Sequence, residues 1–264
     1  MAVSAEPLHM SNQKQQVVDL LKSIETGVPE RIAVINPQKY IQHNLAVADG
    51  LAGFGALLQQ LPEGSVWVNT RRVLEDGAFV VAHTEYNFFG PKIGFDIFRF
   101  ENGMIVEHWD NLQETAGPNP SGRSMTDGPT EVADPAETAA NKTLARGFVT
   151  DILVNGQMEK LAGYFDGDTY AQHNPQIPDN LSGLGGALQA MAKQGLTMKY
   201  DRIHTVLGEG NFVLVVSEGT LAGKHSSFYD LFRVSKGKIA EHWDTIETIP
   251  AKADWKNQNG KFGF

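Results

Sequence analysis

Asp96-Ile-Phe-Arg-Phe-Glu-Asn-Gly-Met-Ile-Val-Glu-His-Trp-Asp110 occurs again, little changed, as Asp230-Leu-Phe-Arg-Val-Ser-Lys-Gly-Lys-Ile-Ala-Glu-His-Trp-Asp244. Each copy reads as a strand rich in aromatic and β-branched residues, a Gly-containing turn and a second strand, the signature of a hairpin. Upstream of each lies a second shared motif, Tyr40-Ile-Gln-His-Asn44 and Tyr170-Ala-Gln-His-Asn174. The hairpins are offset by 134 residues (230 against 96) and the histidines of the upstream motif by 130 (173 against 43). A period this long is a duplicated domain, since solenoid repeats recur every few tens of residues. The shared residues are mostly His, Asp, Asn and Gln, which do chemistry as well as packing.

The turn sets which side chains share a face. A three-residue loop, Glu101–Gly103, predicts pairing of Phe100 with Met104 and of Asp96 with His108. Alternation then puts Asp96, Phe98, Phe100, Met104, Val106, His108 and Asp110 on one face, and Phe95, Ile97, Arg99, Ile105, Glu107 and Trp109 on the other. In the second copy the first set becomes Asp230, Phe232, Val234, His242 and Asp244; the second becomes Tyr229, Leu231, Arg233, Ile239, Glu241 and Trp243. A two-residue loop would shift the pairing by one and scatter the polar set. The first face is an apolar floor with two acids and an imidazole at one end. The second is too apolar to meet water, so the two sheets are expected to pack together through it as an internal pseudo-dimer.

Working outward, each copy opens with a helical pattern. Val17, Val18, Leu20, Leu21 and Ile24 follow Ser11, a plausible N-cap, and stop at Gly27; Leu144, Phe148, Ile152 and Leu153 follow Asp134-Pro135 and stop at Gly156. Short second helices are expected near Pro29–Ile35 and Gln157–Phe165, and third helices over Leu51–Leu61 and Leu181–Lys193. Strands are expected over Trp67–Leu74, Ala78–Phe88, Phe95–Phe100 and Met104–Leu112, and over Lys199–Leu207, Phe212–Leu221, Ser227–Val234 and Lys238–Ile249. The prediction is α+β: two tandem cone-shaped domains, each with about three helices on a curved antiparallel sheet. Residues 1–116 form the first copy, 117–133 a Pro- and Gly-rich linker and 134–264 the second. The tails also match, Asn119-Pro-Ser-Gly122 against Asn257-Gln-Asn-Gly260.

At 264 residues the chain accommodates two domains. A net charge of −9 argues against nucleic acid and anionic membranes as partners. With no cysteine, thiol catalysis and thiolate metal sites are excluded. The opening stretch Met1–Pro7 lacks the pattern of a secretory signal and no apolar run approaches a membrane span, so a soluble cytoplasmic protein is expected.

The order of helices and strands, with Tyr-x-Gln-His-Asn, Asp-x-Phe-Arg and Glu-His-Trp-Asp, resembles the SnoaL-like polyketide cyclase family, in particular its aldol-condensation branch. That family belongs to the nuclear-transport-factor-2-like superfamily, which also holds ketosteroid isomerases, scytalone dehydratase and limonene epoxide hydrolases. The resemblance covers nearly the whole chain, once per repeat. It implies a cystatin-like α+β barrel with a conical cavity, no cofactor, and a carboxylate base fourteen positions after a polar partner. Asp110 and Asp244 match the base; Asp96 and Asp230 stand where the cyclases carry a His. That substitution, and the duplication within one chain, are departures from the family.

These readings converge on a cofactor-independent general acid/base enzyme for a small apolar carbonyl compound, by aldol-type cyclisation, isomerisation or dehydration. Asp110 and Asp244 would take the proton, and His108, His242, His43 and His173 would donate to the oxyanion. Asp96 and Asp230 would set protonation or orient the histidines, and Asn44 and Asn174 would bind a substrate oxygen. Each has a plainer reading: strand-end ion pairs for the acids and a hydrogen-bonded cluster for His43, Asn44, His173 and Asn174. Tyr40, Tyr170, Gln42 and Gln172 read as support. His43, Asp96, His108 and Asp110 could hold a divalent ion, but no local ligand spacing supports it, and none is expected. Trp109 and Trp243 read as interface core; His83, without a counterpart, His9, His204 and His225 read as incidental. The alternatives are a non-catalytic binder of small apolar ligands and a scaffold working through its sheet face. No partner chain is expected beyond the internal pseudo-dimer, with room for a further homodimer.

Overall fold

The structure, a computed structural model, describes residues 11–264; His9 and the opening stretch Met1–Pro7 lie outside them. In the first half, α1 (Asn12–Thr26) begins at Ser11, whose Oγ accepts from the Lys14 N–H, and ends at Gly27 in the left-handed region, φ 66°. Its Val17, Leu20 and Leu21 are buried. A 3₁₀ turn, Pro29–Val34, leads to β1 (Ile41–Gln42), α2 (Gly50–Gln60), β2 (Trp67–Asp76), β3 (Phe79–Asn87), β4 (Pro91–Glu101) and β5 (Met104–Glu114). The second half repeats the order: α3 (Thr138–Phe148), β6 (Ala171–Gln172), α4 (Leu181–Lys193), β7 (Met198–Glu209), β8 (Phe212–Leu221), β9 (Lys224–Ser235) and β10 (Lys238–Thr248). Here α3 runs on through a π-helical turn, Val149–Val154, before the 3₁₀ turn Met158–Tyr164.

Both sheets have five strands in the same order, β1-β5-β4-β3-β2 and β6-β10-β9-β8-β7. The helices cover one face of each, forming one core with Leu20, Phe54 and Phe98 and another with Phe148, Leu184 and Phe232. A third core lies between the sheets and joins residues of both halves, among them Phe95, Ile97, Trp109, Tyr229, Leu231 and Trp243. The expected α+β architecture and the sheet-to-sheet packing are therefore as observed, with both tryptophans at the interface.

The hairpin departs from expectation. Asn102 (φ 50°) and Gly103 (φ 79°) make a two-residue turn, so Glu101 pairs with Met104 and Phe100 with Ile105. Both left-handed φ angles fit a type I′ turn, whose twist matches that of the strands. A bulge then follows, after which Arg99 faces Glu107, Phe98 faces His108, and Asp96 faces Asp110 directly. The extra residue restores the parity that the shorter turn would have lost. The second hairpin does the same at Lys236-Gly237, bulges between Ile239 and Glu241, and sets Asp230 opposite Asp244. Asp96, His108 and Asp110 thus share a face as expected, but Ile105 and Ile239 move to the helix side, in its cores.

A fifth strand per sheet was also not foreseen. Ile41–Gln42 runs parallel to Glu107–His108, and Ala171–Gln172 to Glu241–His242. The His43 and His173 N–H groups extend these ladders to the His108 and His242 carbonyls. Strand alternation sends Gln42 and Asn44 to the helix side and His43 to the interface side.

The tails are exchanged. Asn119, from the end of the first half, donates to the Gln172 and Ile177 carbonyls of the second (2.7 and 3.0 Å). Asn257, at the end of the second, donates to the Asn44 and Val47 carbonyls of the first (2.8 and 2.9 Å). Each tail holds the loop after the other half's Tyr-x-Gln-His-Asn motif.

Candidate functional site

Between helices and sheet each half encloses a cavity, about 320 Å³ in the first and 230 Å³ in the second. Asp96, His108 and Asp110 lie on the floor of the first with Tyr40, Gln42 and Asn44 beside them; Asp230, His242, Asp244, Tyr170, Gln172 and Asn174 match them in the second. The remaining walls are almost wholly aliphatic and aromatic.

The hydrogen bonds assign roles. Gln42 Oε1 accepts from the Asn44 N–H (2.8 Å), so the imidazole Nδ1 lying 2.9 Å from it must be a donor. His108 Nε2 then faces Asp96 Oδ1 at 3.0 Å, and Asp96 Oδ2 accepts from Tyr86 Oη at 2.6 Å. The same chain runs Gln172–His242–Asp230–Tyr200, with His242 at 2.8 Å from both neighbours. Both nitrogens of each imidazole are therefore engaged within the hydrogen-bond chain, and neither points an uncommitted N–H into the cavity.

Asp110 and Asp244 differ from their partners. Asn44 Nδ2 donates to Asp110 Oδ2 (2.6 Å), and Asn174 Nδ2 to Asp244 Oδ2 (2.7 Å). Each Asn is itself fixed by a backbone N–H on its Oδ1, from Ala46 and Gln176. The other oxygen of each acid, Oδ1, is buried and accepts no hydrogen bond among the described residues, although the Lys261 ammonium stands 3.7 Å from that of Asp110. Such an orphan costs about 1–3 kcal/mol and calls for a reason. Burial pushes the Asp244 carboxyl up; the His242 charge opposes this and the Asp230 charge adds to it. For His242 burial acts downwards, but the Asp230 hydrogen bond and the charges of Asp244 and Asp230 outweigh it and the imidazole is raised.

Tyr170 Oη accepts from Gln172 Nε2 (3.0 Å), leaving its hydroxyl hydrogen uncommitted at the cavity wall; Tyr40 lines the first cavity beside Gln42. Burial, then the nearby aspartates, push both phenols up, so they stay protonated.

His43 and His173 do not reach the cavities. His43 Nε2 lies 2.9 Å from Glu107 Oε1, its Nδ1 donates to the Gly260 carbonyl, and its ring stacks on Trp109 at 4.7 Å. His173 likewise meets Glu241 and the Ser124 carbonyl and stacks on Trp243. Burial acts to raise the Glu241 carboxyl, yet hydrogen bonds from His173 and Arg233 prevail and hold it low. These two histidines, expected to bind a substrate oxygen, thus lie outside the lining of both cavities. The cause is the unforeseen strand, whose alternation separates His43 from Gln42 and Asn44. In Glu-His-Trp-Asp, His and Asp serve the cavity while Glu and Trp serve the interface.

Tyr86 and Tyr200 were not anticipated, and a position-by-position comparison hides them. Tyr86 lies on β3 opposite Val68; Tyr200 lies on β7 opposite Gly219. The large and small members of one cross-strand pair have changed places, and the hydroxyl reaches the aspartate from either strand. Each Asp-His-Asp set also brings three ligand atoms within 4.8 Å, close enough for a cation. Hydrogen bonds to His108 and Tyr86 already occupy Asp96, so a cation would have to displace them to gain more than Asp110 Oδ1.

No protein-family model matches the chain and no curated protein sequence is significantly similar to it. Solved structures are similar to parts of it. TsrD from Streptomyces laurentii is 19% identical over 40% of this chain and 92% of its own, TM-score 0.34. An NTF2-like protein of unknown function from Cytophaga hutchinsonii is 11% identical over 40% and 95%, TM-score 0.34. A protein with a cystatin-like fold from Xanthomonas campestris is 21% identical over 44% and 97%, TM-score 0.34. Among the described residues no helix is long and apolar enough to cross a membrane.

Proposed function

We propose that the protein is a cofactor-independent general acid/base enzyme that removes a proton α to the carbonyl of a small apolar compound, with one site in each half. The buried Oδ1 of Asp110 and Asp244, which accepts no hydrogen bond in either half among the described residues, carries this reading. An acceptor held out of water at the floor of an apolar cavity, with its other oxygen fixed by Asn44 or Asn174, is placed to receive a proton from carbon. Tyr40 and Tyr170 then donate to the oxygen of the forming enolate. Asp96 and Asp230, held by Tyr86 and Tyr200, orient the imidazoles. From the enolate, return of the proton from Asp110 to another carbon is isomerisation. Attack of the carbanion on a second carbonyl of the same molecule, with the proton passing to the new alkoxide, is aldol cyclisation. Loss of a β-hydroxyl as water, with that proton, is dehydration.

The two halves, residues 1–116 and 134–264 joined by 117–133, are on this reading products of a tandem duplication that kept both sites, and the setting is cytoplasmic. Matched sheet order and the repeated motifs support the duplication.

Exchange of α-protons tests the proposal without knowledge of the natural substrate. In D2O, loss of the α-proton NMR signals of 1-indanone and 1-tetralone should be faster with the wild type than with Asp110→Asn/Asp244→Asn, by about 10²–10⁴-fold. Equal rates, with both ketones shown to bind, would leave the non-catalytic binder in its place.

A further inference from the structure

The two cavities share a floor but differ near the start of β4 and β9. In the first half Lys92 lines the cavity, on the same face as Asp96. Among the described residues its ammonium makes no ion pair and no hydrogen bond. Its direct neighbours across the strands are Tyr86 on β3 and Glu114 on β5. At the matching place in the second half Ser226 stands opposite Thr248, and no Lys or Arg lines that cavity. Lys92 is partly exposed and lines the pocket together with Phe88, Phe89 and Leu112, so its ammonium stands unpaired beside apolar walls, free to meet an anionic group of a ligand. Four strand steps lead from Lys92 to Asp96, roughly 13 Å between their Cα atoms.

We infer that the first cavity selects apolar carbonyl compounds that end in an anionic group, a carboxylate, sulfonate or phosphate, bound by Lys92 while the reacting carbon sits over Asp110. The second cavity takes uncharged compounds. The inference deepens the acid/base reading of the same site, and Lys92 is its specificity residue. Glu114 opposes it, being a negative charge beside the position the anion occupies.

Two fluorescent probes that differ by one sulfonate test this: 8-anilinonaphthalene-1-sulfonate and its uncharged parent, N-phenyl-1-naphthylamine. In the wild type the sulfonate should show one tight site. Lys92→Met should weaken that site about tenfold, the scale of one charge-assisted hydrogen bond, and change binding of the parent less than about twofold. Lys92→Arg should retain the tight site and Glu114→Gln should strengthen it. Unchanged binding of the parent shows that the variants are folded. Equal loss of both probes, no effect of Lys92→Met, or two equal sulfonate sites in the wild type would overturn the inference. No turnover is read, so a protein that fails to exchange α-protons can still pass, and one that exchanges them can still fail.

Discussion

Replacing Asp244 by Asn should stabilise the protein, and the gain should grow with pH. Asp244 is 6% exposed, with Oδ1 lacking any partner among the described residues. Its carboxyl is raised, first by burial and then, net of the His242 charge, by Asp230. A group whose folded pKa exceeds its unfolded value, about 3.9 for Asp, contributes stability below that value and loses it as pH rises through the folded one. At neutral pH the wild type therefore carries a charge that folding disfavours, and the amide does not. His242 moderates the gain while it is protonated, because the Asp244 charge supports it. That support disappears as pH rises through the raised imidazole pKa, so the variant's advantage is largest beyond it. Removal of the charge from this buried site is worth about 1–2 kcal/mol, since the amide nitrogen that replaces Oδ1 is uncharged but equally without a partner. The amide introduced by Asp244→Asn can still accept the Asn174 hydrogen bond through its own oxygen, so little is lost in return. At about 2–4 °C per kcal/mol, thermal melts at pH 8 should rise by several degrees, with the difference shrinking towards pH 4. A variant less stable than the wild type at pH 8, or a difference independent of pH, would refute the reasoning. The corollary is a cost: the residue proposed as base weakens the fold that carries it.

Two further outcomes follow from the same geometry. Tyr86→Phe and Tyr200→Phe each remove a hydroxyl from a buried aspartate and should cost about 1.5–3 kcal/mol in urea unfolding, with a fall in α-proton exchange in the affected half. Glu241 is a depressed carboxyl, so its contribution is present above the unfolded value, about 4.3, and is lost as pH falls through the folded one; Glu241→Gln should cost about 3 kcal/mol at pH 7 and little at pH 2, measured by unfolding at both.

What could be read from the chain was whatever rests on local pattern. Ser11 and Gly27 mark α1 because cap chemistry is local, and the long strands show in their aromatic and β-branched content. Ile41–Gln42 escaped because two residues have no periodicity and their partners, Glu107 and His108, are distant in sequence. Missing that strand misplaced His43. The turn at Asn102-Gly103 was read one residue too long, and the bulge beyond it went unseen; the two errors cancelled for His108 and Asp110 but not for Ile105. The aspartates were found because both hairpins keep them in register. Their tyrosines were not, because Tyr86 and Tyr200 sit on different strands and only the packed sheet shows that their hydroxyls end in equivalent places.

The crossed tails make neither half self-sufficient. The carbonyls of Asn44 and Val47 wait for Asn257, more than two hundred residues later in synthesis, so the first pocket cannot be finished until that segment has emerged. A chain cut between the halves would yield fragments that complete each other only by meeting again, a natural starting point for a complementation reporter.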